Sequence, residues 1–160
     1  MKKTNRKLIG IDIFAGAGGL SLGAELSGIS MRFAVECDQH AASSYRRNFK
    51  KATVYCEDIR KLSTEPMKSE PVFIIMGGPP CQGFSSANQQ RIIDDPRNEL
   101  YKYYLKAVEK LVPKFVVMEN VRGMLSVADQ VVEDYRAIVG IKDGIEYTYD
   151  IRYELLNSAD

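Results

Sequence analysis

Short and almost wholly apolar runs alternate along this chain with longer stretches of helical periodicity. Five such runs occur, at residues 8–14, 31–35, 53–56, 72–76 and 115–118. Runs of this length without a polar face are typical of parallel strands that helices cover on both sides. The pattern therefore predicts an α/β fold, doubly wound around a mostly parallel sheet.

The stretches between the runs supply the predicted helices. Gly28 ends the first of them, and Asp95 and Pro96 stand before the third as N-cap and first helical residue. The predicted helices span residues 20–26, 39–49, 97–112 and 126–139. Residues 147–156 alternate between apolar and polar, which predicts a sixth strand.

Composition is that of an ordinary globular domain. The chain has 160 residues, 45% of them hydrophobic and 27% charged. A chain of this length buries roughly 70% of the surface that its unfolded form exposes, so its core needs no disulfide or metal. We expect one domain over residues 1–160. The formal net charge of +1 indicates no overall attraction to nucleic acid, so any such role must come from a local site.

The three cysteines, Cys37, Cys56 and Cys81, bear on the cellular compartment. Their number is odd and no pair has C-x-x-C spacing, which favours a reducing compartment. With His40 as the single histidine, they do not supply the clustered ligands of a zinc site, and we expect no metal. No run approaches the roughly 20 apolar residues of a membrane helix, and the basic N-terminus, whose apolar run Asp12 interrupts, lacks a cleavage pattern. We expect a cytoplasmic protein without membrane contact.

A glycine-rich turn, FAGAGG at residues 14–19, follows the first predicted strand and opens a helix. Glycines let the backbone approach a ligand closely, and a helix N-terminus favours negative charge. Glu36 ends the second strand about 20 residues later, where a carboxylate can accept hydrogen bonds from a ribose. Asp58 follows the third strand in the corresponding place. Together these features predict an adenosine-containing ligand, although a tight turn and solvated carboxylates are the simpler alternative for each one alone.

Two further segments end strands that should be neighbours of the first. In GGPPCQGFS, residues 77–85, two prolines fix the backbone ahead of Cys81, which predicts a nucleophilic thiol. Cys37 and Cys56 have no such context and are interpreted as inert, small apolar residues. Glu119 begins ENVRG after the fifth strand. In a doubly wound sheet the glycine-rich turn, Cys81 and Glu119 would lie along one carboxyl edge.

The segments DIFAGAGGLSLG, GGPPCQGFS and MENVRGM, in this order, resemble the C5-cytosine DNA methyltransferases. The resemblance extends from Leu8 to Asp160. It implies the Rossmann-like fold of S-adenosylmethionine-dependent methyltransferases. Family members continue with an arginine-containing motif, a target-recognition region and a last cofactor motif. By this resemblance the chain lacks the C-terminal strand or strands and the target-recognition domain.

The resemblance also implies roles for individual residues. Glu36 would bind the ribose and Asp58 the adenine of S-adenosylmethionine, and Cys37 stands where the family often has an aromatic residue that stacks on the adenine. Cys81 would attack C6 of a cytosine flipped out of double-stranded DNA, and Glu119 would hold N3 of that base. The other implied cofactor-binding residues are Phe14, Gly16, Gly18, Gly19, Ile59, Pro80 and Leu100. The implied residues of a DNA-facing loop are Gln82, Ser85 and Arg97.

The implied activity is DNA cytosine-5 methylation, in bacterial modification or restriction-modification. The chain alone would be inactive, and the recognition half would belong either to a longer chain of which this is a fragment or to a second polypeptide of a split enzyme. Three alternatives remain. A catalytically silent regulator would need neither Cys81 nor Glu119, and a tRNA cytosine-5 methyltransferase would use the same chemistry. A nicotinamide-dependent enzyme would leave GGPPCQGFS unexplained.

Overall fold

The computed structural model describes residues 7–80 and 98–157. In these ranges the seven strands are β1 (Ile9–Ile13), β2 (Ser30–Val35), β3 (Thr53–Tyr55), β4 (Val72–Gly77), β5 (Phe115–Met118), β6 (Gly140–Lys142) and β7 (Ile145–Tyr147). The helices are α1 (Gly19–Leu26), α2 (Gln39–Asn48), α3 (Glu99–Leu111) and α4 (Ala128–Arg136), with 3₁₀ segments at Ile59–Lys61, Glu65–Ser69 and Arg122–Val127.

Strands β1 to β5 form one parallel sheet in the order β3-β2-β1-β4-β5. The chain reverses its direction of winding between β1 and β4, which is the topological switch point of a doubly wound sheet. The five apolar runs are therefore strands, as predicted, and the ends of β1, β4 and β5 lie side by side at one edge. The predicted fold class is confirmed.

Helices cover both faces of this sheet. On one face α3 and α4 pack over Ile11 of β1 and Ile75 of β4, and on the other α1 and α2 pack over Ala34 of β2 and Ile74 of β4. Tyr104 of α3 is fully buried, and its hydroxyl donates to the Val117 carbonyl of β5 at 3.1 Å. The tyrosines of α3 thus include core residues, which agrees with the interpretation of their helical spacing as packing.

The C-terminal part differs from the prediction. Residues 148–157 form no strand, and β6 and β7 instead pair as an antiparallel hairpin outside the main sheet. Its turn consists of Asp143 and Gly144, both at positive φ, which is the conformation that Asp-Gly hairpin turns adopt. Tyr149 and Ile151 pack against the core without strand pairing. The other apolar residues of this alternation, such as Tyr153 and Leu155, are exposed, and the predicted sixth strand is wrong.

Helix boundaries also shift. The fourth predicted helix is split, with the 3₁₀ segment Arg122–Val127 preceding α4. Helix α3 begins at Glu99 with Asn98 as its N-cap, whereas Asp95 and Pro96 lie outside the described residues.

Strand β5 has no further strand on its outer side in the described parts of the chain. Although all four of its residues are apolar, Phe115 and Val117 are 48% and 42% exposed. Val116 and Met118 line a groove of about 170 Å³ on the other face, bounded by α4 and residues 151–155. Within the described ranges no helix has the length and apolar character needed to cross a membrane.

Candidate active site

The turn between β1 and α1 has a backbone that few sequences could adopt. Phe14, Gly16 and Gly18 have φ of 63°, 54° and 100°, in the left-handed region that costs a side-chain-bearing residue roughly 1 kcal/mol or more. Phe14 is half-buried against the core. The reversals bring the backbone of the turn to the carboxyl edge of the sheet and lead directly into α1.

The glycines of this turn have different surroundings. A Cβ atom added to Gly18 would lie 2.2 Å from Cε2 of Phe49, so α2 occupies that space. Gly16 and Gly19 have no neighbouring atom within 4 Å of such a Cβ. Their open sides are where a ligand could approach the backbone.

Glu36, at the end of β2, is held in the same place by two hydrogen bonds. Its Oε2 accepts from the Gly16 amide and its Oε1 from the Asp38 amide, each at 2.8 Å. The carboxylate thus joins the turn after β1 to the turn after β2. The structure thus places Glu36 beside the glycine-rich turn, and its contact with a ribose stays a prediction.

Asp58 follows β3 and caps the 3₁₀ segment Ile59–Lys61 by accepting from the Arg60 amide at 2.9 Å. The Arg60 guanidinium also pairs with the Asp58 carboxylate, and these hydrogen bonds lower the pKa of Asp58 to about 2. Arg60 reaches Glu99 of α3 at 3.3 Å as well. Asp58 is therefore ionised at neutral pH.

The apolar residues predicted to flank the cofactor lie deeper than the acids. Ile59 is only 6% exposed and belongs to the main core, and Leu100 is partly buried against the same core. Cys37 and Cys56 are both exposed. Their interpretation as small buried residues is wrong, because each lies just beyond the end of its strand, outside the helical layers.

A second part of the site lies where β4 and β5 end. Gly78, Pro79 and Pro80 line a cavity of about 210 Å³ together with Glu119, Asn120 and Val121. Glu119 is exposed, and its backbone amide donates to the Gly77 carbonyl at 3.0 Å. A Cβ atom on Gly78 would come within 3.1 Å of Oε2 of Glu119, so the absence of a side chain there leaves room for the carboxylate.

Asn120 ties these two segments together. Its Nδ2 donates to the Pro79 carbonyl at 2.9 Å, and its Oδ1 accepts from the Val121 amide at 2.9 Å. The side chain therefore fixes the turn that carries Glu119 against the double proline.

Four of the predicted site residues, Cys81, Gln82, Ser85 and Arg97, lie outside the described residues. Pro80, the last described residue before Cys81, is exposed at the cavity that Glu119 also lines.

Comparison with known proteins decides the family. The sequence profile of the C-5 cytosine-specific DNA methylases matches residues 8–160. The chain belongs to this family. The family inferred from the three motifs is thereby confirmed.

Curated relatives of this DNA methylase are bacterial type II methyltransferases. M1.HphI of Haemophilus parahaemolyticus is 34% identical over 94% of the chain and 41% of the relative. M.FnuDI of Fusobacterium nucleatum is 39% identical over 94% of the chain and 42% of the relative. M.AquIA of Picosynechococcus is 35% identical over 94% of the chain and 64% of the relative. The chain thus spans less than two thirds of the length of each of these relatives.

Solved structures agree with the fold of this DNA methylase. A protein described as a DNA modification methyltransferase encoded within an E. coli prophage is 37% identical, with a TM-score of 0.68 over 86% of this chain and 40% of that one. The S. pombe Dnmt2 methyltransferase, 23% identical, has the same fold, with a TM-score of 0.63 over 81% of this chain and 42% of that one.

Sequence reasoning overlooked one polar cluster of this DNA methylase. Asp12 of β1, Ser21 of α1 and Tyr45 of α2 are almost completely buried and hydrogen-bonded to one another. The available signal was an aspartate in the middle of an otherwise apolar strand, since a buried carboxylate is rarely found without polar partners.

Proposed function

We propose that this chain is the catalytic part of a DNA cytosine-5 methyltransferase. The observation that carries the proposal is the common edge of β1, β4 and β5. There the glycine-rich turn with Glu36 follows β1, and Glu119 shares a cavity with the double proline that precedes Cys81. A cofactor turn, an acid and the approach to a nucleophile along one edge are what methyl transfer to a cytosine requires.

The proposed cofactor is S-adenosylmethionine, which when bound supplies the electrophilic methyl group. The residues present fit an adenosine. Gly16 and Gly19 leave the backbone open, and Glu36 is already oriented beside the turn. Asp58 is partly buried at the end of the next strand and carries its charge at neutral pH, so it can accept a hydrogen bond from the adenine amino group. Ile59, Leu100, Phe14, Gly18 and Pro80 remain proposed as the other residues of this pocket.

The proposed chemistry explains the types of residue at the second part of the site. The Cys81 thiolate adds to C6 of cytosine, which makes C5 nucleophilic enough to take the methyl group. Glu119 donates a proton to N3 and accepts from the exocyclic amine, which neutralises the negative charge that develops on the ring during the addition. Loss of the C5 proton and elimination of the thiolate then release the methylated base.

The proposed substrate is double-stranded DNA from which one cytosine is flipped out of the stack. A duplex hides C6, so extrusion of the base is a condition of the attack and costs a few kcal/mol. In this proposal Gln82, Ser85 and Arg97 face the DNA. The reaction requires no metal, and the protein acts in the cytoplasm, as part of bacterial DNA modification.

The proposed partner is a second polypeptide that supplies target recognition. The observation that supports it is the exposure of β5. This strand has apolar side chains on both faces but is partly exposed on both, and exposed strands of this kind readily pair with another chain.

A chimaera tests the proposed function. In it, this chain replaces the matched segment of M.FnuDI, and transfer of a labelled methyl group is measured with unmethylated duplex DNA and with tRNA as acceptors. We expect the label to be transferred to DNA and not to tRNA. If the unmatched remainder of M.FnuDI also restores activity as a separate polypeptide, the second-polypeptide proposal holds. If only the fused chimaera is active, the proposal of a separate partner is rejected. If the label appears in tRNA and not in DNA, the proposal of a DNA substrate is rejected.

Glu36→Gln tests cofactor binding by the chain itself. We expect the affinity for S-adenosylhomocysteine, measured by calorimetry, to fall about tenfold or more, because a charge-assisted hydrogen bond to the ribose is lost. The urea midpoint should change little, since Glu36 is only partly buried. Glu133→Gln, on the exposed side of α4, is the control and should bind like the wild type. Equal affinity of Glu36→Gln and Glu133→Gln would contradict the ribose-binding role.

A further inference from the structure

The glycine-rich turn is closed at its base by a buried hydrogen bond. Asp12 lies two residues before the turn, and Ser21 lies in the first turn of α1 that follows it. The Ser21 hydroxyl donates to Oδ2 of Asp12 at 2.6 Å. Because the bond joins the chain on either side of residues 14–19, it limits how far the turn can open.

The same serine connects this turn to the next one. Its Oγ lies 2.6 Å from the hydroxyl of Tyr45, which is fully buried on α2. Helix α2 follows directly on the turn that contains Glu36 and Asp38. The two turns are thus linked twice, by Gly16 with Glu36 at the surface and by Ser21 with Tyr45 in the core. In the function proposed above, Glu36 also bonds the ribose, whereas the core link lies away from the ligand.

The number of protons that these two hydrogen bonds can use favours an ionised Asp12. Tyr45 can donate to Ser21 and Ser21 to Asp12, so two protons fill the two hydrogen bonds. A third proton on Oδ2 of Asp12 would reverse both bonds and leave the Tyr45 proton without an acceptor in the described structure. A third proton on Oδ1 would also lack one, because that atom is buried and has no hydrogen-bond partner among the described residues. Protonation of Asp12 therefore disturbs the bonds that hold the turn.

The surroundings of Asp12 nevertheless favour protonation. Burial raises the pKa of Asp12 to about 6, and the negative charge of Glu36 adds to this, while the hydrogen bonds from Ser21 oppose it. Two further ionisable groups interact with this network. The charge of Asp12 helps to raise the pKa of the Tyr104 phenol on α3, and the charge of Glu25 on α1 helps to raise the pKa of Tyr45. The balance between burial and hydrogen bonding can therefore change within an ordinary pH range.

We propose that Asp12, Ser21 and Tyr45 are positioning residues that hold the glycine-rich turn in its ligand-binding form, and that this requires Asp12 to be ionised. The ligand is the adenosine-containing cofactor of the proposed function, on which this inference rests. None of the three residues needs to touch it.

Variants of the whole chain test the network at pH 7.5. We expect Ser21→Ala to weaken S-adenosylhomocysteine binding about tenfold, since it removes both buried bonds, and Tyr45→Phe to weaken it about threefold. Ser44→Ala is the matched control, because Ser44 lies beside Tyr45 on α2 and its hydroxyl contacts only groups of its own helix in the described structure, the His40 carbonyl and the Arg47 guanidinium. The amides of residues 16–20, followed by hydrogen exchange in the ligand-free chain, should exchange faster in Ser21→Ala than in Ser44→Ala.

A pH series distinguishes positioning from mere stabilisation. Between pH 7.5 and 5 the wild type should lose about tenfold in affinity, while Asp12→Asn should change less than about twofold. Unfolding stability should move in the opposite direction. A raised pKa means that the folded state binds the proton more tightly than the unfolded state, so the wild type gains stability relative to Asp12→Asn as the pH falls from 7 to 4. A purely structural role would move affinity and stability together.

Two results would overturn the proposal. One is an affinity of Asp12→Asn that depends on pH as the wild type's does. The other is equal turn exchange and binding in Ser21→Ala and Ser44→Ala. A wild-type chain that binds no S-adenosylhomocysteine at any pH would contradict the cofactor proposal instead. Hydrogen exchange of the turn amides would then still test whether the network holds the turn. If it does, these amides should exchange faster below pH 6 in the wild type but not in Asp12→Asn.

Discussion

Cys81→Ser in the chimaera with M.FnuDI is expected to lower methyl transfer about 10³-fold or more. A serine hydroxyl has nearly the same shape as the thiol, but it is hardly ionised at neutral pH and is a weak nucleophile towards C6 of cytosine. The loss should appear in the rate of transfer at saturating cofactor. Binding of S-adenosylhomocysteine by the chain should stay within about twofold of the wild type, since the proposed attack occurs on the base and not on the cofactor.

Cys56→Ser is the matched control for this change. Cys56 is a free, exposed cysteine that follows β3, and its replacement should leave the transfer rate unchanged. Equal rates for the Cys81 and Cys56 variants would contradict covalent catalysis by Cys81. A Cys81→Ser variant that also fails to bind S-adenosylhomocysteine would point to a disturbed fold, so the binding measurement belongs to the experiment.

The five strands of the main sheet could be predicted because each is mostly apolar, although Asp12 of β1 and Arg32 of β2 interrupt the pattern. A strand such as Val72–Gly77 is covered on both faces, so its sequence carries a local signal that no tertiary contact has to supply. The common edge of the glycine-rich turn and Glu119 followed in the same way from the order of parallel strands. The resemblance to the family then assigned chemistry to positions that the fold brings together.

The hairpin of β6 and β7 was missed although its signal was present. Asp143-Gly144 is a two-residue turn dipeptide, and the flanking residues pair around it. The alternation of residues 147–156 was the more visible pattern, but only Tyr149 and Ile151 of its apolar residues pack against the core. Whether such a segment pairs as a strand depends on a neighbour with free backbone groups, which is a property of the tertiary structure.

The network of Asp12, Ser21 and Tyr45 could not have been predicted from spacing. The three residues come from β1, α1 and α2 and are 9 and 24 positions apart in their bonded pairs. Only the packing of both helices on one face of the sheet brings them together. The burial of Ile59 and the exposure of Cys37 could not be predicted either, because the local sequence does not tell where the helical layers end.

Gly18→Ala should be the most destabilising of the glycine substitutions in the cofactor turn, by about 3 kcal/mol or more. Gly18 has φ of 100°, and the new methyl group would lie 2.2 Å from Cε2 of Phe49. That ring cannot easily move, because it is 6% exposed and packs on Tyr45 with 4.5 Å between ring centroids. Urea unfolding of the chain measures the loss. A loss below about 1 kcal/mol would show that α2 yields and that the contact does not constrain the turn.

Two neighbouring glycines make this result specific. Gly23→Ala, within α1 and with open space around it, should stabilise the chain by up to about 1 kcal/mol through helix propensity alone. Gly19→Ala is also unhindered and should not destabilise the chain, but its methyl group would project from the first residue of α1 into the proposed cofactor site. We therefore expect Gly19→Ala to weaken S-adenosylhomocysteine binding at unchanged stability, whereas Gly18→Ala loses stability first. Equal changes in stability and affinity in the two variants would contradict the separate roles of Gly18, which packs against Phe49, and Gly19, which the ligand approaches.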